Sequence, residues 1–323
     1  METKAKTTFK NSFEEEVHEG LTAFPKYLSS KYFYDSKGDK LFQQIMELPE
    51  YYLTGCEYSI LDEHKSEIAD LFSSKDGFEL IELGAGDGKK TKVLLEELTK
   101  TKKDFTYLPV DISQDVLNEL ESTIKDKWPS LNIKPQQGTY FKVLSQLAAY
   151  NKRKKVIFVL GSNIGNLPHA KAVEFLSNIT KSMREGDLLF MGFDLKKEPG
   201  KILAAYNDSQ GVTEAFNKNL LLRINKEMDA NFDIDNFMHW PTYDPESGTT
   251  KSFLVSKTAQ DVNINSIDLT VHFDQWESIH TEISQKYDDS IVEWLSSQSG
   301  LEVIQRFTDA GKCFADYAFR RKA

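Results

Sequence analysis

The stretch Phe78-Glu79-Leu80-Ile81-Glu82-Leu83-Gly84-Ala85-Gly86-Asp87-Gly88 decides the fold, together with the Lys89–Leu98 segment that follows it. Phe78–Leu83 is a short apolar run that reads as a strand and stops at glycines. Val93, Leu94 and Leu98 then recur at helical spacing. Glycines after a strand let the backbone turn sharply and approach a ligand without a Cβ clash. In an open α/β sheet such a turn sits at the carboxyl end of a strand, where ligands bind. Two common phosphate loops are excluded. The dinucleotide fingerprint requires a third glycine where Lys89 stands, and Gly84 with Gly88-Lys89-Lys90 misses the spacing of a phosphate-cradling loop. A purely structural turn after a buried strand remains an alternative at this point.

Outward from the loop the same alternation continues. Tyr107–Val110 is a second strand, ending at Asp111, and Val116, Leu117 and Leu120 open a helix. Val156–Leu160 is a third continuous apolar run, Ala172–Ile179 is helical, and Asp187–Phe193 is a strand entered through Glu185-Gly186. Strands alternating with helices imply a parallel sheet covered on both faces. Leu301–Phe307 and Phe314–Phe319 read as a hairpin turning at Gly311, suited to the antiparallel edge of that sheet. Between lie two helical pieces, Lys201–Tyr206 and Val212–Glu227, then strand-like Lys251–Lys257 and Ile264–Phe273. The expectation is one α/β domain over 56–196 and 287–323, with a second domain formed by 1–55 and the insertion 197–286.

Composition narrows the function classes. The 323 residues are 40% hydrophobic and 28% charged, which allows a packed core. Fifty acidic against 40 basic side chains give a net charge of -10, which argues against a nucleic-acid partner. The basic clusters Lys100–Lys103 and Arg153–Lys155 read as solvated turns. Cys56 and Cys313 cannot supply a disulfide framework or a four-ligand zinc site, so no metal is expected. The start METKAKTTFK has no apolar signal region, and no run approaches the ~20 apolar residues of a membrane span. A soluble cytoplasmic monomer without a membrane partner is the expectation.

The segment Glu82-x-Gly84-x-Gly86-x-Gly88 resembles the first motif of Rossmann-like S-adenosylmethionine-dependent methyltransferases. A second carboxylate is then expected at the end of the next strand, to accept from both ribose hydroxyls, and Asp111 stands there. Tyr32-Phe33-Tyr34-Asp35, Gly38, Leu41-Phe42 and Leu48-Pro49-Glu50-Tyr51-Tyr52 resemble the N-terminal signature of the histidine Nα-methyltransferases of ergothioneine biosynthesis. The resemblance continues through Leu160–Asn166, Gly192–Leu195, Leu221–Asp233, His239–Tyr243 and Ile279–Tyr287, and so spans nearly the whole chain.

This resemblance implies a Rossmann-like class I methyltransferase sheet, a second α+β substrate-binding domain, S-adenosyl-L-methionine as cofactor and L-histidine as substrate. Three methyl transfers would give the trimethyl betaine. It also implies site residues. Asn166 and Tyr206 would grip the amino-acid head group, with Gly161 beside them, Tyr51 as another carboxylate contact and Tyr34 on the amine side. Glu282 and Ser284 would hold the imidazole, a carboxylate meeting one ring N–H and a hydroxyl the other nitrogen. Gly84, Gly86, Gly88, Lys92, Asp111, Thr139 and Tyr140 would contact the cofactor. No side chain is assigned a catalytic role beyond alignment.

Plainer readings stand beside these. Tyr34 and Tyr51 could be core aromatics, Asn166 a cap for the helix near Pro168, Glu282 an exposed strand residue and Lys92 a solvated one. His280 reads as structural, because amine methylation needs no shuttling imidazole. Two departures from the family pattern matter. Gly138-Thr139-Tyr140-Phe141 carries Thr139 where an acid commonly contacts the adenine amine, and Ser252 stands where a methionine commonly packs near the imidazole. The second leaves strict histidine specificity open. The rivals are the same chemistry on another amine, such as a tryptophan-like substrate, and a non-catalytic S-adenosylmethionine-binding protein.

Overall fold

The computed structural model describes residues 9–148 and 152–322. In chain order the elements begin with α1 (Ser12–Thr22), α2 (Ser36–Glu47), α3 (Tyr52–Glu63) and α4 (Lys65–Phe72). Next come β1 (Phe78–Leu83), α5 (Thr91–Lys100), β2 (Phe105–Asp111), α6 (Gln114–Lys127), β3 (Gln136–Gln137) and α7 (Tyr140–Ala148). They continue with β4 (Lys154–Val159), α8 (His169–Ser182), β5 (Leu188–Asp194), α9 (Pro199–Ala204) and α10 (Val212–Met228). Five strands follow: β6 (Phe237–Asp244), β7 (Thr249–Ser256), β8 (Gln260–Ile264), β9 (Leu269–Phe273) and β10 (Ser278–Gln285). The chain closes with α11 (Asp289–Gln298), β11 (Leu301–Thr308) and β12 (Phe314–Arg321). It divides into two compact units: residues 1–52 with 197–284, and residues 53–196 with 285–323.

The unit containing the glycine loop is built on a seven-stranded sheet of order β11-β12-β5-β4-β1-β2-β3. Strands β3, β2, β1, β4 and β5 are parallel, and β12 runs antiparallel to both neighbours, β5 and β11. Every residue of β1 and of β5 is buried, as a strand covered by helices on both faces requires. The core gathers Ile81, Val110, Ile157, Met191 and Phe193 from the sheet with Leu176 and Ile179 of α8. Burying such side chains contributes about 1.5–3 kcal/mol each. Helix starts are capped locally: Ser113 accepts from the Val116 N–H at α6, and Asp288 from the Ile291 N–H at α11.

The terminal hairpin forms the antiparallel edge of the sheet, as expected: β12, second in sequence, pairs with β5, and β11 lies outermost. One expectation in this unit needs correction. The Arg153–Lys155 cluster is not a solvated turn. Lys155 is buried and pairs with buried Asp187 at 3.3 Å, Lys154 donates to the Leu71 carbonyl at 3.0 Å, and Arg153 pairs with Asp104 at 2.7 Å. These long side chains close the amino-terminal end of the sheet, and their charged tips find partners there.

The other unit carries a three-stranded sheet, β10-β7-β6, and a two-stranded one, β8-β9. Phe216, Leu220 and Ile224 of α10 pack with Phe237, Leu254 and Ile279 of the strands and with Val17 and Leu21 of α1. At α2, Asp35 accepts from the Gly38 N–H at 2.7 Å and from the Asn219 amide of α10 at 2.8 Å. The expected strand Ile264–Phe273 is the last residue of β8 and the whole of β9, with a 3-10 turn, Asn265–Ile267, between them. Asp268 leaves that turn at φ 50°, the left-handed region that a continuous strand cannot contain. The expected helix Lys201–Tyr206 ends at Ala204, which puts Tyr206 just beyond α9. No helix among the described residues is long and apolar enough to cross a membrane.

Candidate functional site

Within the seven-stranded unit, the loop after β1 carries Gly84, Gly86 and Gly88 at φ of 76°, 52° and 63°. These left-handed angles suit glycine and strain other residues. Gly84 has a second reason: a Cβ there would collide with the Tyr140 hydroxyl. Asp111 sits at the end of β2 beside this loop. Its Oδ2 accepts from the Gly86 N–H at 3.4 Å and its Oδ1 from the Ser113 N–H at 3.0 Å. The first bond is long and leaves the carboxylate with acceptor capacity. Burial, then the charges of Asp111 and Glu82, push the Tyr140 phenol up to about 12, so it stays a neutral donor. Thr139 is exposed beside it. Lys92 folds back so that its ammonium donates to the Asp87 carbonyl at 2.9 Å.

Beneath the loop, buried Glu82 of β1 accepts from Thr91 at the start of α5 and from Tyr107 of β2. Burial is the main reason its carboxyl rises from 4.5 to about 7, against the lowering effect of both hydroxyls. The loop after β4 holds Gly161 at φ 82° and Ser162 at φ 56°. Ser162 Oγ accepts from the Asp194 N–H at 2.9 Å, Asp194 pairs with buried Lys286 at 2.8 Å, and Tyr287 donates to the Ile164 carbonyl at 3.1 Å. Those contacts fix the loop. Asn166 at its end is exposed, and no side chain caps α8, so the capping reading fails.

Within the other unit, Tyr206 is buried and its hydroxyl donates to Ser284 Oγ at 2.7 Å. Glu282, half-buried on β10, accepts from the fully buried Ser252 of β7 at 3.2 Å. The serine in the methionine position therefore bonds the acid proposed for the imidazole. Tyr34 is 45% exposed, which disposes of the core reading for it, and its ring packs edge-on against Phe42 and Phe216. Tyr51 is partly buried, 6.2 Å from the Phe42 ring. His280 contributes its backbone, accepting from the Leu28 N–H at 2.8 Å and donating to the Lys26 carbonyl at 3.0 Å. Its Nε2 is buried without a partner, and burial lowers the ring's pKa. It lines a cavity of about 410 Å³ with Phe24, Lys26, Lys251 and Phe253.

Sequence reasoning missed three features. Buried Glu57 accepts from the Gly161 N–H and pairs with Lys90, and nothing in the α3 pattern distinguishes it from a surface acid. Ser252, singled out only for the methionine it replaces, is a hydrogen-bond partner of Glu282. Cys56 and Cys313 come together with Asp309, their ligand atoms all within 4.8 Å, although they are far apart in the chain. The Asp309 carboxylate there already accepts from the Gly311, Cys313 and Phe314 N–H groups at 2.7–2.9 Å.

A glycine cradle that a Cβ would fill and a carboxylate at the end of β2 with lone pairs to spare fit an adenosyl ligand. The comparisons with known proteins agree. The histidine N-alpha-methyltransferase of Mycolicibacterium smegmatis is 35% identical over 91% of this chain and 90% of that protein. Ergothioneine biosynthesis protein 1 of Neurospora crassa is 31% identical over 88% of this chain, which matches 32% of that longer protein. A 4-dimethylallyltryptophan N-methyltransferase of Penicillium roqueforti is 23% identical over 94% of this chain and 92% of its own. The family profile described as histidine-specific methyltransferase, SAM-dependent, matches residues 13–321. The chain belongs to the family of S-adenosylmethionine-dependent, histidine-specific methyltransferases.

Proposed function

We propose that the chain methylates the α-amino group of L-histidine, three times in succession, to give the trimethyl betaine. The observation that carries the substrate choice is the pair Glu282 and Ser284, each already oriented by a neighbour: Ser252 donates to Glu282, and Tyr206 donates to Ser284. A neutral imidazole offers one N–H donor and one lone-pair acceptor. Glu282 suits the donor. Ser284, oriented by Tyr206, carries a hydroxyl, a group that can donate to a ring lone pair. An indole has no such lone pair and would leave the serine unmatched, which favours histidine over tryptophan-like amines.

S-adenosyl-L-methionine supplies an electrophilic sulfonium methyl when bound. What the chain contributes is alignment and exclusion of water. Asp111 would accept from the ribose hydroxyls, the glycine loop would pass close to the ligand, and the neutral Tyr140 phenol would lie over Gly84. Asn166, Gly161, Tyr34 and Tyr51 are assigned to the amino-acid head group. The spare donor and acceptor of the Asn166 amide match a carboxylate and an amine. An ammonium has no lone pair, so the amine must lose a proton before it attacks. Aromatic faces then stabilise the positive charge that grows on it.

Glu282→Ala tests this reading. Removing a charge-assisted hydrogen bond costs about 2–3 kcal/mol, so the KM for histidine should rise roughly 30- to 150-fold with a much smaller change in kcat. Wild-type kinetics on histidine would place imidazole recognition elsewhere.

A further inference from the structure

Within the seven-stranded unit, one buried carboxylate touches both ligand loops. We infer that Glu57, on α3, is a positioning residue that holds the loop after β4 and the loop after β1 in register for binding, through separate contacts to Gly161 and to Lys90. This rests on the reading that those loops carry the substrate head group and the cofactor.

The geometry is closed on every side. Glu57 is fully buried, and both its oxygens accept from the Gly161 N–H, at 2.8 and 3.0 Å. The Lys90 ammonium, at the end of the glycine loop, pairs with Oε2 and is itself only 22% exposed. Gly192 on β5 makes room, since a Cβ there would collide with Glu57 Oε1 and with the Phe314 ring. The third group is Asp316 of β12, completely buried, whose oxygens reach no donor. Burial first, then the Glu57 charge, raise the Asp316 carboxyl well above the usual carboxylate range.

Two contacts of different chemistry make the role separable. The Gly161 bond needs only an acceptor oxygen, which glutamine also offers. The Lys90 contact is an ion pair, which glutamine reduces at most to a neutral hydrogen bond. Glu57→Gln should therefore rescue the Gly161 side and not the Lys90 side. Lys90→Met should match it, because it cuts the same contact from the other end.

The experiment measures KM for histidine, KM for S-adenosylmethionine, kcat and calorimetric binding of S-adenosylhomocysteine for Glu57→Ala, Glu57→Gln and Lys90→Met in the full chain. Circular dichroism checks that each is folded. Loss of a charge-assisted contact should weaken cofactor binding about tenfold or more in all three. The histidine KM should rise with it only in Glu57→Ala, staying within about twofold of the parent in the other two. A merely structural acid would move both KM values together in every variant. If Glu57→Ala does not fold, the Glu57→Gln and Lys90→Met pair still decides. Overturning results are parental cofactor affinity in either of them, or a histidine KM raised as far as the cofactor KM. Asp111→Ala, run alongside, separates two failures. If it also leaves S-adenosylhomocysteine affinity unchanged, the cofactor-loop reading has failed. If it weakens binding while the Glu57 and Lys90 variants do not, the inference itself has.

Discussion

In the seven-stranded unit the groups assigned to the cofactor are largely backbone: three left-handed glycines, with Asp111 and Tyr140 laid against them. In the other unit the groups assigned to the imidazole are all side chains, Glu282 and Ser284 on β10, oriented by Ser252 on β7 and by Tyr206 beyond α9. The first arrangement is set by chain conformation, and substitution there acts through strain. The second is set by pairwise hydrogen bonds between segments distant in sequence. Single substitutions there should retune recognition without unfolding anything.

The largest expected effect would break the backbone half. Gly84→Ala forces an L-residue to φ 76° and drives a Cβ into the Tyr140 hydroxyl. The left-handed penalty and the overpacking together cost about 3 kcal/mol. Calorimetry should show S-adenosylhomocysteine binding weakened about a hundredfold or more. Near-parental affinity would mean that the loop does not approach the ligand.

A second, comparable effect concerns buried Glu82 under that loop. The folded-state pKa of Glu82 lies above its unfolded value, so the native state holds the proton more tightly, and stability must fall as pH rises from about 4.5 to about 7. The full shift corresponds to about 3 kcal/mol. Glu82→Gln cannot titrate. The unfolding free energy of the parent relative to that variant should therefore drop by up to this amount between pH 4.5 and 8, in urea titrations. A pH-independent difference would show that Glu82 ionises normally.

The smallest effect sharpens the side-chain half. Ser252→Ala removes one neutral hydrogen bond to Glu282, worth about 1 kcal/mol or less. The histidine KM should rise no more than about fivefold, with S-adenosylhomocysteine affinity unaltered. A change in cofactor affinity instead would show that the two halves do not separate in this way.

The same contrast explains how much was legible in the sequence. Short, mostly apolar runs such as Phe78–Leu83 and Asp187–Phe193, bounded by glycines, read as strands buried on both faces, and the glycines after the first mark the turn that follows, so sheet and loop could be read directly. The residues of the imidazole half carry no local signal. Glu282 looks like any strand acid, and its pairing with Ser252 depends on how β7 and β10 lie in the sheet. Only the resemblance to a family brought them forward. Charged residues were harder to place. Lys155 reads as solvated because long charged side chains usually are, yet it is buried against Asp187, and Glu57, which carries no local signal, is buried against Lys90. The break before β9 was missed because Ile267, Leu269, Val271 and Phe273 alternate as one strand would, while the 3-10 turn Asn265–Ile267 and the left-handed Asp268 interrupt it.

The central proposal is that the chain places successive methyl groups on the α-amine of histidine in preference to other amino acids. Mass spectrometry of the twenty amino acids, each incubated with the protein and S-adenosylmethionine, tests it most directly. Mono-, di- and trimethylated products should appear first and foremost from histidine, with fragmentation placing every methyl on the α-nitrogen. Methylation of tryptophan or tyrosine in preference to histidine, methyl groups on the imidazole ring, or unreacted histidine with a folded, cofactor-binding protein would contradict the claim.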